Sequence, residues 1–211
     1  PDRAGAFSLT GRVQADMRRL DNGFFRTLGG GLPRLQSGIA LGSDGRLMLS
    51  NLSLRSPLMH FDGSGVRNPD GTINIRGTGT HRQYGPLRLT LTGMLDRPAV
   101  DLVLARPLDA AGLADVHVML DPYQDGYHFT ADGQSAAGPF TGKGDILMPR
   151  GGDTSIDVAS LVVNGAEGKG RLRVVDGGLA GRLDFNGSVK GPVELSVVGG
   201  IQKLKADMRV A

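Results

Sequence analysis

The sequence contains no cysteine and no tryptophan, and aromatic residues make up only 5% of its 211 positions. Without cysteine there can be no disulfide, zinc knuckle, thiol redox centre or thiol nucleophile. That absence suits the cytoplasm and the periplasm equally. The scarcity of aromatics removes the usual large anchors of a compact core. No apolar run approaches the roughly 18 residues needed to cross a bilayer, and no signal peptide is present. The chain begins with Pro1, so it reads as a piece of a longer protein. Long runs of one charge are missing too. The 24 Lys and Arg outnumber the 21 Asp and Glu by three, but they are scattered, with Arg18-Arg19 the only adjacent pair. A mildly basic chain of this kind shows no stripe for nucleic acid.

What the chain has in quantity is glycine, at 34 positions, together with 11 prolines. Pro33, Pro86, Pro139 and Pro192 each lie 53 residues from the next, and the last three follow Gly85, Gly138 and Gly191. Equal spacing on this scale is the mark of a stacked repeat, in which each unit covers the open face of its neighbour. The repeats divide residues 1–211, read as one continuous segment, into approximately 32–84, 85–137, 138–190 and a partial 191–211. After Gly85-Pro86 come two alternating apolar/polar runs, 87–92 and 100–104; after Gly191-Pro192 come 193–197 and 204–210. Such runs read as hairpin strands. The middle copy is looser, because Gly142 and Gly144 interrupt the alternation, as a bulge or bend would.

Asp-Gly at 44–45, 62–63, 70–71, 125–126, 132–133 and 176–177, and Asn-Gly at 22–23, 164–165 and 186–187, are the dipeptides that close tight hairpins. About fifteen short strands joined in this way make an all-β antiparallel meander. Open sheets rarely pass about ten strands without curling or splitting, so the sheet is expected to fold over into a sandwich or a long trough. Two segments depart from the pattern. Residues 15–28 carry Met17, Leu20, Phe24 and Leu28 at helical spacing, and residues 108–115 read as a short helix between repeats.

Catalytic and metal constellations are absent from the pattern. No two of His60, His81, His117 and His128 lie at i,i+2 or i,i+4 spacing, and His117 and His128 read as outward or rim residues. The run from Gly138 to Gly144 has the outline of a phosphate loop. Its first glycine is one residue too close, however, and Gly144 stands where Ser or Thr would meet magnesium. Neither an EF-hand, a calcium β-roll nor a Gly-x-Ser-x-Gly elbow occurs. Asp96, Asp101 and Asp145 fall at turns or on polar strand faces. No enzyme activity, cofactor or metal is expected.

The remaining candidate is the apolar face itself: Leu87, Leu89, Leu91, Val100, Leu102, Leu104, Phe129, Phe140, Ile146, Ile156, Val158, Leu172, Leu183, Phe185, Val193, Leu195 and Val197. Alternation alone fits an ordinary sandwich core. That is the reading alternation alone favours; the sharper one is a greasy trough for acyl chains, which would be lined by mid-sized aliphatics without bulky plugs. The run from Leu89 to Leu104, LTLTGMLDRPAVDLVL, resembles the strand–Gly–turn–Pro–strand units of the TamB branch of the AsmA-like proteins. The opening stretch from Phe7 to Phe25 and the stretch from Leu113 to Pro122 are similar to that family as well. The resemblance implies a middle section of a periplasmic protein of a Gram-negative bacterium, anchored in the inner membrane. Its U-shaped β-groove (a β-taco) would pass phospholipids to the outer membrane. It also implies a partner, an Omp85-type outer-membrane barrel such as TamA, a part in outer-membrane biogenesis, and no catalytic residues. The alternative is a structural or adhesive β-solenoid or β-sandwich module of a secreted or surface protein, with its interior fully packed.

Overall fold

The computed structural model describes residues 8–16, 29–107, 112–149, 152–175, 178–198 and 201–210. The protein is all-β, and each strand pairs antiparallel with its neighbour in the chain, so strand order follows sequence order. Two units divide the chain, residues 1–102 and 103–211. The first contains β1 (Ser8–Asp16), β2 (Arg34–Gly42), β3 (Leu47–Arg55), β4 (Met59–Arg67), β5 (Thr72–His81) and β6 (Gly85–Met94), and the unit boundary falls within β7 (Ala99–Leu104). The second contains β8 (Ala114–Tyr123), β9 (Gly126–Ser135), β10 (Gly138–Leu147), β11 (Ser155–Val163), β12 (Ala166–Val175), β13 (Gly178–Gly187), β14 (Val189–Val198) and β15 (Ile201–Ala206). A final short strand, β16 (Arg209–Val210), returns to pair with β14 at Val189 and Lys190.

The 53-residue period corresponds to four strands. Pro33 immediately precedes β2, Pro86 and Pro139 are the second residues of β6 and β10, and Pro192 lies in β14. Gly85 (φ 70°) and Gly138 (φ 114°) take left-handed conformations at the exit of a turn, which a side chain would oppose. The following proline, with φ fixed near −65°, then enters the strand.

Asp44-Gly45 and Asp70-Gly71 close hairpins of the same form. Gly45 and Gly71 have φ of 77° and 89°, and their N–H groups donate to the carbonyls of Gly42 and Asn68 at 3.0 Å in each case. Asn164-Gly165 makes a two-residue turn with both φ values positive, 46° and 80°, the form that matches strand twist. Asn186-Gly187 lies at the β13–β14 connection, with Gly187 at φ 142°. Two of the remaining dipeptides differ from expectation: Asp62-Gly63 and Asp132-Gly133 sit inside β4 and β9, and these mid-strand glycines answer to the packing described below. Residues 22–23 and 176–177 lie outside the described residues, as do 17–28 and 108–111 of the two expected helices. The parts of those helices that are described are not helical: Ala15-Asp16 belongs to β1, Gly112-Leu113 is a turn and a bridge with Gly112 at φ 59°, and Ala114-Asp115 belongs to β8.

The irregularity expected at Gly142 and Gly144 is present, but the extra residue lies across the ladder. Lys143 pairs with Ser160 and Gly144 with Val158, so Ala159 of β11 is the bulged residue. In the first unit β3 is bulged in the same way: Ser50 and Asn51 (φ 50°) stand opposite the single Ser64 of β4.

One face of each unit is built from large apolar residues interleaved with glycines across neighbouring strands. In the first unit Leu52, Gly63, Gly77 and Leu89 form one cross-strand row, and Phe61, Gly79 and Leu87 the next. In the second, Phe129, Gly144, Val158, Gly170, Leu183 and Val193 form a row that crosses six strands. These glycines leave no room for a methyl group. A Cβ on Gly63 would overlap the carbonyl oxygen of Arg76, one on Gly77 that of Asp62, one on Gly170 that of Arg182, and one on Gly181 that of Arg171. Opposed Cβ atoms in a regular antiparallel pair stand about 4.5–5.5 Å apart, so the strands are drawn together on this side. The Cα atoms of β12 and β14, with β13 between them, approach within 8 Å, where a flat sheet would hold them at roughly 9.6 Å. The sheet is therefore bent, not flat, at that point.

Gly77→Ala is therefore expected to destabilise the first unit by about 1–3 kcal/mol through overpacking. Gly11→Ala, whose nearest atom would be Ile39 Cγ1 at 3.7 Å, should stay within about 0.5 kcal/mol. Urea denaturation of both variants against the parent checks the difference.

Candidate functional site

The apolar rows hold the candidate residues. Leu87, Leu89 and Leu91 lie at alternate positions of β6, opposite Gly79, Gly77 and Ile75. Val100, Leu102 and Leu104 alternate along β7. In the second unit Phe129 is on β9, Phe140 and Ile146 are on β10, Ile156 and Val158 on β11, Leu172 on β12, and Leu183 and Phe185 on β13. Their registers place them on one face. Val193 of β14 joins them opposite Leu183, while Leu195 and Val197 occupy the positions opposite Gly181 and Leu179.

Burial divides this set. Leu87, Val100, Val158, Leu172 and Leu183 are each 8% exposed. Val158, Leu172 and Leu183 form a cluster against which Phe129, Ile156, Leu161 and Phe185 pack. Leu89, Leu91, Leu102, Leu104, Phe129, Phe140, Ile146, Ile156, Phe185 and Val193 are half-buried. No large side chain among the described residues falls below 2% exposure. A core residue in a closed interior is normally covered on all sides; here more than half of the face keeps contact with solvent.

Aromatic rings beyond the three phenylalanines of the candidate set are part of this face. Phe61 and Tyr127, at 4% and 5% exposure, are among its most buried members. Phe185 and Phe140 lie where a Cβ on Gly168 or Gly133 would meet their rings, at 2.6 Å and 3.0 Å. A flat ring over a glycine replaces the missing side chain and covers the backbone beneath it. Alternation of apolar residues alone does not reveal the glycine partners. The signal lies in the paired glycines Gly63/Gly65, Gly77/Gly79, Gly142/Gly144 and Gly168/Gly170, each two residues apart and so on one face of a strand.

The opposite face carries the charged residues, and several of them meet a neighbour of opposite charge. His60 Nε2 lies 2.8 Å from Asp62, His117 Nδ1 lies 3.7 Å from Asp132, and His128 contacts Asp145 while stacking on Tyr123. Arg171 is bidentate to Asp157 at 2.5 and 3.0 Å. That hydrogen-bonded pairing pushes the already high guanidinium pKa further up, as Asp184 does for Arg182. These groups are largely solvent-accessible, so each pair adds little stability; the three that cross strands, His117–Asp132, His128–Asp145 and Arg171–Asp157, favour the observed register.

His81 is different, at 3% exposure. Its Nδ1 accepts the N–H groups of Gln83 and Tyr84 at 3.1 and 3.2 Å, and its ring stacks on Tyr84 at 4.5 Å. It therefore closes the turn into β6, and burial raises the pKa of the Tyr84 phenol. Asp96 lies in the β6–β7 turn and Asp101 on the exposed side of β7. No group of three potential metal ligands occurs among the described residues, and none of their helices is long and apolar enough to cross a membrane. No family model, curated protein or solved structure matches the chain.

One turn carries a pH signature. The Asp70 carboxylate accepts the Thr72 N–H at 2.9 Å and its hydroxyl at 2.7 Å, and these bonds hold its pKa below the ordinary aspartate range. The folded pKa lies below the unfolded one. Its contribution is thus complete above roughly pH 4, where a free aspartate is ionised, and is lost as pH falls through the folded value. The parent should lose more stability between pH 5 and pH 3 than Asp70→Asn, as read by thermal melts across that range.

Proposed function

We propose that the chain is a segment of a hydrophobic β-groove that conducts phospholipids between the inner and outer membranes and supports outer-membrane biogenesis. The observation that carries this reading is the one-sided apolar face, on which ten of the candidate side chains stay half-buried. An acyl chain laid on such a face gains about 0.8 kcal/mol per methylene removed from water. No specific polar contact is needed for it to bind, and none to impede its movement. The bending of the sheet at β12–β14 is what a trough needs and a flat sheet lacks. The four-strand period and the likeness to the TamB branch of the AsmA-like proteins support the same assignment. With it come a periplasmic location, an inner-membrane anchor on the parent protein and an Omp85-type barrel, TamA-like, as partner.

A packed structural or adhesive module is the second reading. The burial of Leu52, Phe61 and Ile73, at 4–6% exposure, favours it.

Native purification followed by solvent extraction and mass spectrometry separates the two. A groove should yield near-stoichiometric phospholipid, and Leu89→Asp should remain folded while losing most of it. Photocrosslinking probes at Leu89 and Leu102 should capture lipid where a probe at Arg88 does not. A lipid-free, stable parent that unfolds on Leu89→Asp would establish the packed module instead.

A further inference from the structure

One turn of the first unit is closed by a group whose hydrogen-bonding character changes near neutral pH. Residues 82–84 join β5 to β6, and His81 holds them: its Nδ1 accepts the N–H groups of both Gln83 and Tyr84. A ring nitrogen that accepts carries no proton, so the imidazole is neutral with its hydrogen on Nε2. Other turns are closed by side-chain acceptors as well. Asp44 and Asp70 accept from Arg46 and Thr72, and Ser56 and Ser135 accept from Met59 and Ala137. Carboxylates keep these lone pairs down to about pH 4 and hydroxyls keep theirs throughout. Of these acceptors, His81 alone belongs to a residue type that takes up a proton between pH 5 and 8.

The turn is also a link in the rim of the sheet. Arg82 N–H donates to the Leu58 carbonyl at 2.7 Å, and Leu58 N–H donates to the Gly29 carbonyl at 3.1 Å. The β5–β6 turn is thus strapped to the β3–β4 turn, and that turn to the β1–β2 connection. A second proton on His81 would set an N–H against two N–H groups in a site only 3% exposed. Both bonds would be lost and a charge buried. Of the titratable and charged groups on the surrounding elements, Tyr84 stacks on the ring and Arg82 is exposed in the turn. His60 and Asp62 of β4, Arg76 of β5 and Arg88 of β6 fall on the opposite face by register, and Arg67 lies at the far end of β4. We infer that His81 is a proton-operated latch. Neutral, it closes the β5–β6 turn; protonated, it releases Gln83 and Tyr84 and, through Arg82, loosens the strap to Leu58. The unfolded chain takes the proton freely and the closed turn does not. Closure is therefore complete above about pH 6.5, where a free imidazole is neutral, and is lost as pH falls below it. The latch does not depend on what the apolar face binds.

The test is heteronuclear NMR of the whole chain between about pH 8 and pH 5.5, above the range in which free aspartates are protonated. At the upper end the imidazole nitrogen shifts of His81 should report the tautomer with its proton on Nε2. Amide exchange, corrected for its intrinsic pH dependence, should show the turn opening about tenfold more at the lower end, one pH unit below the free imidazole value. Gln83, Tyr84 and Arg82 should respond together, while Ala137, held by the Ser135 hydroxyl, should not. His81→Asn supplies a side-chain oxygen that accepts turn N–H groups and does not titrate, so its turn should be equally protected at both ends. A proton on Nδ1 at the upper end, or protection of Gln83 and Tyr84 that does not change with pH, would overturn the latch from the parent chain alone. An acid response in His81→Asn equal to that of the parent would overturn it too.

Discussion

The fold rests on the complementarity between large apolar side chains and the glycines that face them across the ladder. Gly63 and Gly77 separate Leu52 from Leu89, and Gly170 separates Val158 from Leu183. Two consequences follow from one arrangement. The strands close up on the apolar side because no Cβ holds their carbonyls away, and the neighbouring leucine or phenylalanine spreads over the space left. Curvature and coverage are thus set by the same residues. A chain with few aromatics can bury its backbone in this manner without the large anchors that a compact core demands.

The polar face does a lesser energetic job and a larger directional one. Its pairs, such as His128 with Asp145 and Arg171 with Asp157, are exposed and weak individually. A slip of one residue would turn every leucine of a strand outward and every charge inward. The cross-strand charges and the hairpin turns therefore select the register that the apolar face then stabilises. The bulges in β3 and β11 absorb the one place in each strand where alternation of the two faces is out of step.

Much of this was legible in the residues. The alternating runs gave the strands, and Gly85-Pro86 and Gly138-Pro139 marked the entrance to every fourth one. Asp44-Gly45 and Asn164-Gly165 were turns because their conformations need positive φ. Asp62-Gly63 and Asp132-Gly133 have the same spelling but sit in mid-strand, since a dipeptide carries no record of what lies across the sheet. For the same reason Gly142 and Gly144 marked the position of a bulge whose extra residue is Ala159 on the partner strand. The apolar lining followed from periodicity; its aromatic members, Phe61 and Tyr127, and the glycines beneath such rings depend on pairings that only the fold supplies.

The four-strand period has a consequence for how such a chain can change its length. An antiparallel meander alternates direction, so an even number of strands returns the polypeptide to the same end of the sheet, travelling the same way. Four strands at about 4.8 Å each advance the sheet by roughly 19 Å. Whole repeats can then be gained or lost by duplication or deletion without inverting any strand that follows and without exchanging its wet and dry sides. Loss of a single strand would reverse everything downstream. In such a chain the unit of change is the four-strand repeat, not the single strand.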